Sequence, residues 1–117
     1  MNYKISGKVI RGDGYGRKIG FPTVNLDPAL REGQGGSQLS EGVYCGDAIL
    51  EGKKYRAGIV IGPGTKVEAH LLGFSGNAYE KEVSLEIKNF LREFKKFDTE
   101  EELIAQIRKD LQKCSQV

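Results

Sequence analysis

Between Lys4 and Leu91, apolar residues recur at every second position in short runs broken by glycine, proline and asparagine, the pattern of half-buried β-strands. Lys4 to Ile10 and Thr23 to Leu26 read as short strands. Gly42 to Leu50 and Lys53 to Ile61 read as a hairpin across a tight Glu51-Gly52 turn, and Lys66 to Phe74 and Glu82 to Leu91 continue the series. In the last run Val83, Leu85, Ile87, Asn89 and Leu91 fall on one side, with Glu82, Ser84, Glu86, Lys88 and Phe90 on the other. The period then changes. Thr99 and Glu102 form a capping-box pair, and Leu103, Ile104, Ile107 and Leu111 share one stripe of a C-terminal helix that carries Lys109 and Lys113 near its end. That stripe reads as a packing face rather than a partner-binding surface, since left exposed it would invite aggregation. So small a sheet has no helices to cover two faces, and closure removes exposed edges. The expected fold is therefore mainly β, a small six-stranded antiparallel Greek-key β-barrel with a C-terminal α-helix. Between Asp27 and Glu41 the periodicity lapses, and the stretch from Gly33 to Gln38 reads as a flexible loop, either a passive connector or a lid.

Composition narrows the class. With 117 residues, 38% hydrophobic and 29% charged, the chain has enough apolar material for one core and not two, so a single domain over residues 1–117 is expected. A net charge of +2 gives no ground for nucleic-acid binding, and cations cluster only at Arg11, Arg17, Lys18 and at Arg92, Lys95, Lys96, patches suited to a small anionic ligand. Cys45 and Cys114 lack metal-ligand spacing and read as two thiols in a reducing compartment, with no disulfide between them. No apolar h-region follows Met1 and no run reaches membrane-spanning length, which points to a cytoplasmic monomer with small-molecule substrates and neither membrane nor nucleic-acid partners.

The chemistry concentrates near the N-terminus. Gly12, Gly14 and Gly16 permit close backbone approach, so that several N–H groups can converge on phosphate oxygens beside Arg11, Arg17 and Lys18. Thr23 and Asn25, two apart on an extended strand, present their oxygens to one side, where a Mg²⁺ bridging nucleotide phosphates could take both. Spacing alone leaves open an ordinary surface turn. The dinucleotide fingerprint fails because its third glycine would fall at Arg17, and no Gly-Lys-Ser/Thr follows as a P-loop requires.

On the strand from Lys66 to Phe74, alternation puts Glu68, His70, Leu72 and Phe74 on one side. A carboxylate in such apolar company loses solvation and becomes a better base, whereas a rim glutamate paired with a lysine fits the same pattern. His70, the only histidine, reads as a buried hydrogen-bonding residue.

The glycine-rich loop running into Pro22-Thr23-Val24-Asn25, followed in order by Gly42-Val43-Tyr44-Cys45-Gly46, Val67-Glu68-Ala69-His70-Leu71-Leu72-Gly73-Phe74, Leu91-Arg92 with Phe97, and a C-terminal helix, resembles the riboflavin kinase family over nearly the whole chain. The resemblance implies a stand-alone kinase that transfers the γ-phosphoryl of ATP, with Mg²⁺, to the ribityl hydroxyl of riboflavin. It implies Glu68 as catalytic base, Thr23 and Asn25 on the metal, and Gly12, Gly14, Gly16, Arg17, Thr23, Leu71 and Tyr79 about the nucleotide. Arg92, Lys95 and Phe97 would lie against the flavin, although Phe97 also suits a core position anchoring the loop before the helix. Two departures stand out. The family's longer excursion before the glutamate strand is reduced here to Gly62-Pro63-Gly64-Thr65-Lys66, and the glutamate it commonly carries two residues beyond the arginine is Phe94. A non-catalytic flavin- or nucleotide-binding module with the same barrel, or a Mg-nucleotide kinase for another alcohol, fits the residues as alternatives.

Overall fold

The computed structural model describes residues 3–11, 15–26, 32–34, 40–62 and 66–116. Among them, strands β1 (Tyr3–Ile10), β2 (Val24–Leu26), β3 (Glu32–Gln34), β4 (Gly42–Leu50), β5 (Lys53–Ile61), β6 (Val67–Leu71) and β7 (Glu82–Arg92) accompany a single helical turn α1 (Tyr15–Lys18) and the helix α2 (Glu100–Gln116). Six strands close into a ring in the order β1-β2-β6-β5-β4-β7, every neighbour antiparallel. The consecutive strands β4, β5 and β6 lie side by side and β7 returns to pair with β4, which is the Greek-key arrangement. The seventh strand, β3, pairs with the N-terminal half of β1, outside the ring. Part of the stretch expected to be irregular is thus a strand: Glu32 to Gln34 satisfies the edge of β1 that β2 is too short to reach.

Alternation decides what the barrel contains. Ile5, Val9, Val24, Leu26, Tyr44, Ala48, Leu50, Ala57, Ile59, Ile61, Val67, Ala69, Leu71, Val83, Leu85 and Ile87 point inward as one buried cluster. The β4–β5 hairpin turns on Glu51 and Gly52, with φ of 52° and 77°, the paired left-handed conformations of a two-residue hairpin loop. Strand β6 ends at Leu71, earlier than expected, because Gly73 at φ 84° turns the chain and Phe74 N–H bonds back to the Leu71 carbonyl. The loop that follows is tied to β1 by Val9 N–H to Lys81 O at 2.9 Å and Glu80 N–H to Val9 O at 2.8 Å.

Along β7 the expected alternation holds through Ile87 and then fails. Two bulges against β4, between the partners of Val43 and Tyr44 and between those of Cys45 and Gly46, shift the phase. Phe90 is consequently opposite Tyr44, their rings edge-on at 5.2 Å, and Asn89 is exposed instead of inward. The second shift restores the outer-face phase, so that Arg92 sits opposite Val43.

Helix α2 flanks the barrel on the outer face of β4 and β5. Its start is capped as expected, Glu102 N–H donating to Thr99 Oγ1 at 3.1 Å. Three attachments hold its C-terminal half: Leu111 packs on Gly58, where a Cβ would come within 2.9 Å of Leu111 Cδ2, Asp110 pairs with Arg92, and Cys114 is disulfide-bonded to Cys45. The disulfide corrects the expectation of two separate thiols. Sequence spacing carries no information on the approach of a strand and a helix 69 residues apart, and both cysteines are buried at 1% exposure or less.

The outer face of β4 also carries Asp47, buried beneath Lys88 at 2.7 Å, Lys54 at 3.6 Å and Arg56 at 3.7 Å. Burial alone would raise the Asp47 pKa, but the hydrogen bond and charge of Lys88, with the charges of Arg56 and Lys54, outweigh it and hold the carboxyl below its ordinary value. Because the folded state binds this proton less tightly than the unfolded chain, the cluster's stabilisation is complete above about pH 4 and is lost as pH falls through the lowered value. Asp47→Asn should therefore lower stability at pH 7, and the gap from wild type should narrow towards pH 2 in urea titrations; an unchanged gap would count against the cluster. Reducing the Cys45–Cys114 bond should cost about 2–4 kcal/mol of unfolding free energy, as for a cross-link closing a long loop. Identical denaturation midpoints for the oxidised protein and for protein reduced while unfolded and then refolded in dithiothreitol would show that the bond adds nothing.

Candidate active site

Because Val24 and Leu26 point into the barrel, Thr23 and Asn25 belong to its outer face, and for the same reason Glu68 and His70 do on β6, between Val67, Ala69 and Leu71. The β2–β6 register sets Asn25 directly opposite Glu68. Residues in that relation hold their Cβ atoms about 5 Å apart. Asn25 is 9% exposed, and its Oδ1 has no hydrogen-bond partner among the described residues. A buried amide oxygen left unpaired is costly unless something else satisfies it, and a cation is a suitable partner.

A cavity of about 640 Å³ lies on this outer face. Val43, Gly58, Val60, Glu68, His70 and Thr23 form its floor, the segment from Arg92 to Glu100 one wall, and Leu103, Ile107, Asp110 and Leu111 of α2 another. The apolar stripe of α2 is thus shared between barrel packing and a cavity wall: Leu103, Ile107 and Leu111 remain half-buried, a departure from the expected packing face. Arg92 and Lys95 both approach the ring of Phe97, at 5.7 and 5.3 Å from its centroid. A second cavity, about 260 Å³, opens between β1, β2, β6 and the loop after β6, lined by Arg17, Pro22, Thr23, Val24, Leu71, Phe74 and Tyr79 among others. Arg11 lies over the Tyr79 ring at 4.5 Å. Thr23 lines both cavities.

A family model described as flavokinase, riboflavin kinase, matches residues 1–117. The chain belongs to the riboflavin kinase family. It is 33% identical to the bifunctional riboflavin kinase/FMN adenylyltransferase of Escherichia coli K12, over 92% of this chain and 36% of that protein, so it spans about a third of this relative's length. Among solved structures, one described as a macrolide-efflux protein from Streptococcus pneumoniae superposes with a TM-score of 0.79 at 27% identity, covering 93% of this chain and 37% of that one. A riboflavin kinase from Trypanosoma brucei superposes with a TM-score of 0.74, covering 98% and 76%, and at 22% identity it attests the fold alone.

Within this riboflavin kinase fold, most of the residues singled out from sequence divide between the cavities, while Asn25, buried opposite Glu68, lines neither. Glu68, Arg92, Lys95 and Phe97 line the larger, Arg17, Leu71 and Tyr79 the smaller, and Thr23 both. Leu71 is 4% exposed and belongs mainly to the core. Gly12 and Gly14 lie outside the described residues, and Gly16 sits in α1. The same holds for residues 27–31 and 35–39, on which the lid or connector reading falls.

Two expectations about β6 change. Glu68 does not share its face with Leu72 and Phe74, because the strand stops at Leu71 and Phe74 turns away to pack on Tyr55 at 5.5 Å. Its neighbour is Lys66, with Nζ 3.7 Å from Oε1, so the lysine-paired arrangement is the one observed. His70 is half-buried on the cavity floor, and its Nδ1 donates to the Pro22 carbonyl at 2.6 Å, holding the chain just before Thr23. Sequence reasoning missed Asp110, 5% exposed and bonded to Arg92. A signal existed: Leu103, Ile107, Asp110 and Cys114 recur at intervals of four, three and four, so a carboxylate stands on the barrel-facing stripe.

Among the described residues no helix is long and apolar enough to cross a membrane.

Proposed function

We propose that this chain phosphorylates riboflavin, transferring the γ-phosphoryl of ATP to the ribityl 5′-hydroxyl to give FMN and ADP. The observation that carries the reading is the junction: two cavities meet at Thr23, and the adjacent register pair puts Asn25 beside Glu68. Phosphoryl transfer asks mainly for in-line placement of donor and acceptor and for charge stabilisation, and a shared wall between two ligand cavities serves that need. Similarity to the bifunctional riboflavin kinase/FMN adenylyltransferase of Escherichia coli supports the choice of substrates.

In this reading the smaller cavity takes the nucleotide, with Arg17 and the backbone around Gly12, Gly14 and Gly16 on the phosphates and Tyr79 and the edge of Leu71 beside the base or sugar. The larger takes the flavin, a planar ring suited to the face of Phe97 and the guanidinium of Arg92, with Lys95 at its rim. Its volume is in the range of small-molecule sites. Glu68 accepts the proton of the attacking hydroxyl, and Lys66, 3.7 Å away, helps to orient that carboxylate. Thr23 and the orphan Oδ1 of Asn25 would hold Mg²⁺, which when bound offsets charge on the phosphate oxygens. The protein acts as a monomer in the cytoplasm, with no nucleic-acid partner. Burial of both sulfurs keeps the Cys45–Cys114 bond out of reach of soluble thiols there.

Incubation with riboflavin and Mg-ATP, with FMN resolved by chromatography, tests the reading: stoichiometric FMN and ADP are expected, and flavin binding without turnover would leave only a binding module. Glu68→Gln should keep the KM for ATP and lower kcat by about 10² to 10⁴, the contribution of a positioned base, and near-normal turnover would remove the role. Asn25→Ala should raise the Mg²⁺ concentration at half-maximal activity while leaving riboflavin affinity in the absence of nucleotide unchanged. A superimposable Mg²⁺ titration would exclude Asn25 as a ligand.

A further inference from the structure

We infer that Asp110 is a positioning residue for flavin binding, acting through Arg92. The inference rests on the riboflavin reading and extends it to a residue on α2. Asp110 is 5% exposed, and each of its carboxylate oxygens is engaged: Oδ1 accepts from Arg92 Nε at 3.1 Å and Gln106 Nε2 at 3.0 Å, and Oδ2 from Arg92 Nε at 3.1 Å and Nη2 at 2.8 Å. The pair is a side-on bidentate clamp, which fixes the plane of the guanidinium as well as its place. Arg92 Nη1 is spent in part on the Glu93 carbonyl at 3.2 Å. A guanidinium carries five N–H donors. One hydrogen on Nη1 and one on Nη2 are therefore left without a partner among the described residues, on a side chain that lines the larger cavity.

A purely structural account explains this arrangement poorly. A buried ion pair is weak as a source of stability compared with apolar residues of the same size. Position 110 belongs to the stripe of Leu103, Ile107 and Cys114, where a leucine would pack against the barrel. The carboxylate does what a leucine cannot. It holds a long, flexible cation in one orientation before ligand arrives, with the guanidinium over the Phe97 ring at 5.7 Å. Without it, Arg92 would have to be ordered at each binding event, and that loss of rotamer freedom would come out of the affinity. Asp110 also offsets the crowding of Arg92 and Lys95 about one ring. Because α2 supplies the carboxylate and β7 the arginine, the clamp aligns two walls of the cavity with each other.

A double-mutant cycle tests this, with riboflavin titrated into wild type, Arg92→Gln, Asp110→Asn and the double variant by flavin fluorescence, and thermal unfolding recorded for each. Each single change should weaken riboflavin binding about tenfold, the loss of one charge-assisted contact, and the double variant should bind no more weakly than Arg92→Gln alone. In turnover, Asp110→Asn should raise the KM for riboflavin at unchanged kcat and unchanged KM for ATP; damage to the fold would instead lower kcat through the active fraction. Wild-type riboflavin affinity in Asp110→Asn, or losses that multiply in the double variant, would overturn the inference. If Asp110→Asn does not fold, Arg92→Gln and the double variant, which leaves no charge buried, decide between the same two outcomes. A wild-type chain that binds no riboflavin would overturn the functional reading itself, which is a different result from a wild type that binds and an Asp110 variant that binds equally well.

Discussion

Closure of the barrel through a strand of three residues is the constraint on which the site depends. β2 alone joins β1 to β6, pairing Leu26 and Asn25 with Val9 and Ile10 on one side and Asn25 and Val24 with Glu68 and Ala69 on the other. With so short a strand, each residue has a fixed duty. Val24 and Leu26 must fill the interior, so Asn25 must face out, and the ladder then sets it between Ile10 on one side and Glu68 on the other. A slip of one residue would bury the asparagine in the core and expose both apolar side chains. The polar junction between the two cavities is thus enforced by the same register that keeps the ring closed.

The second organising element is α2. A barrel of this size satisfies its interior with its own side chains, and its outer face can stay wet. Here part of that face is covered by a helix anchored in its C-terminal half through Cys114, Leu111 and Asp110. The larger cavity lies between the helix and the barrel, with Leu103, Ile107, Asp110 and Leu111 as its helical wall. Gly58 lets the anchored half come close, while Val43 and Val60 give the cavity an apolar floor.

The bulges in β7 connect these two features. They let the strand leave the barrel's inward alternation after Ile87, bring Phe90 over Tyr44, and deliver Arg92 to the outer face beside Val43. Irregularities of this kind re-aim side chains next to functional sites. Arg92 then meets Asp110 of the helix, so the strand that completes the Greek key also supplies one wall of the cavity. Gly62 N–H closes on the Lys66 carbonyl at 2.8 Å, and Lys66 lines the cavity within reach of Glu68.

The strands, their approximate ends, the hairpin turn at Glu51-Gly52 and the capped helix were legible in the sequence because each is a local matter of period 2, period 3.6 or turn chemistry. The candidate residues Thr23, Asn25, Glu68, Arg92, Lys95 and Phe97 were legible by resemblance, their motifs lying within short segments. What only the tertiary structure decided are relations between segments distant along the chain: Asn25 opposite Glu68, Thr23 shared by two cavities, Arg92 clamped by Asp110, and Cys45 bonded to Cys114. β3 and the bulges of β7 belong with these, since an edge strand forms where a neighbour leaves hydrogen bonds open and a bulge exists only against its partner. Period records which way a side chain points from its own strand or helix; which residue it meets is set by sheet register and helix docking, and neither is written in any one segment.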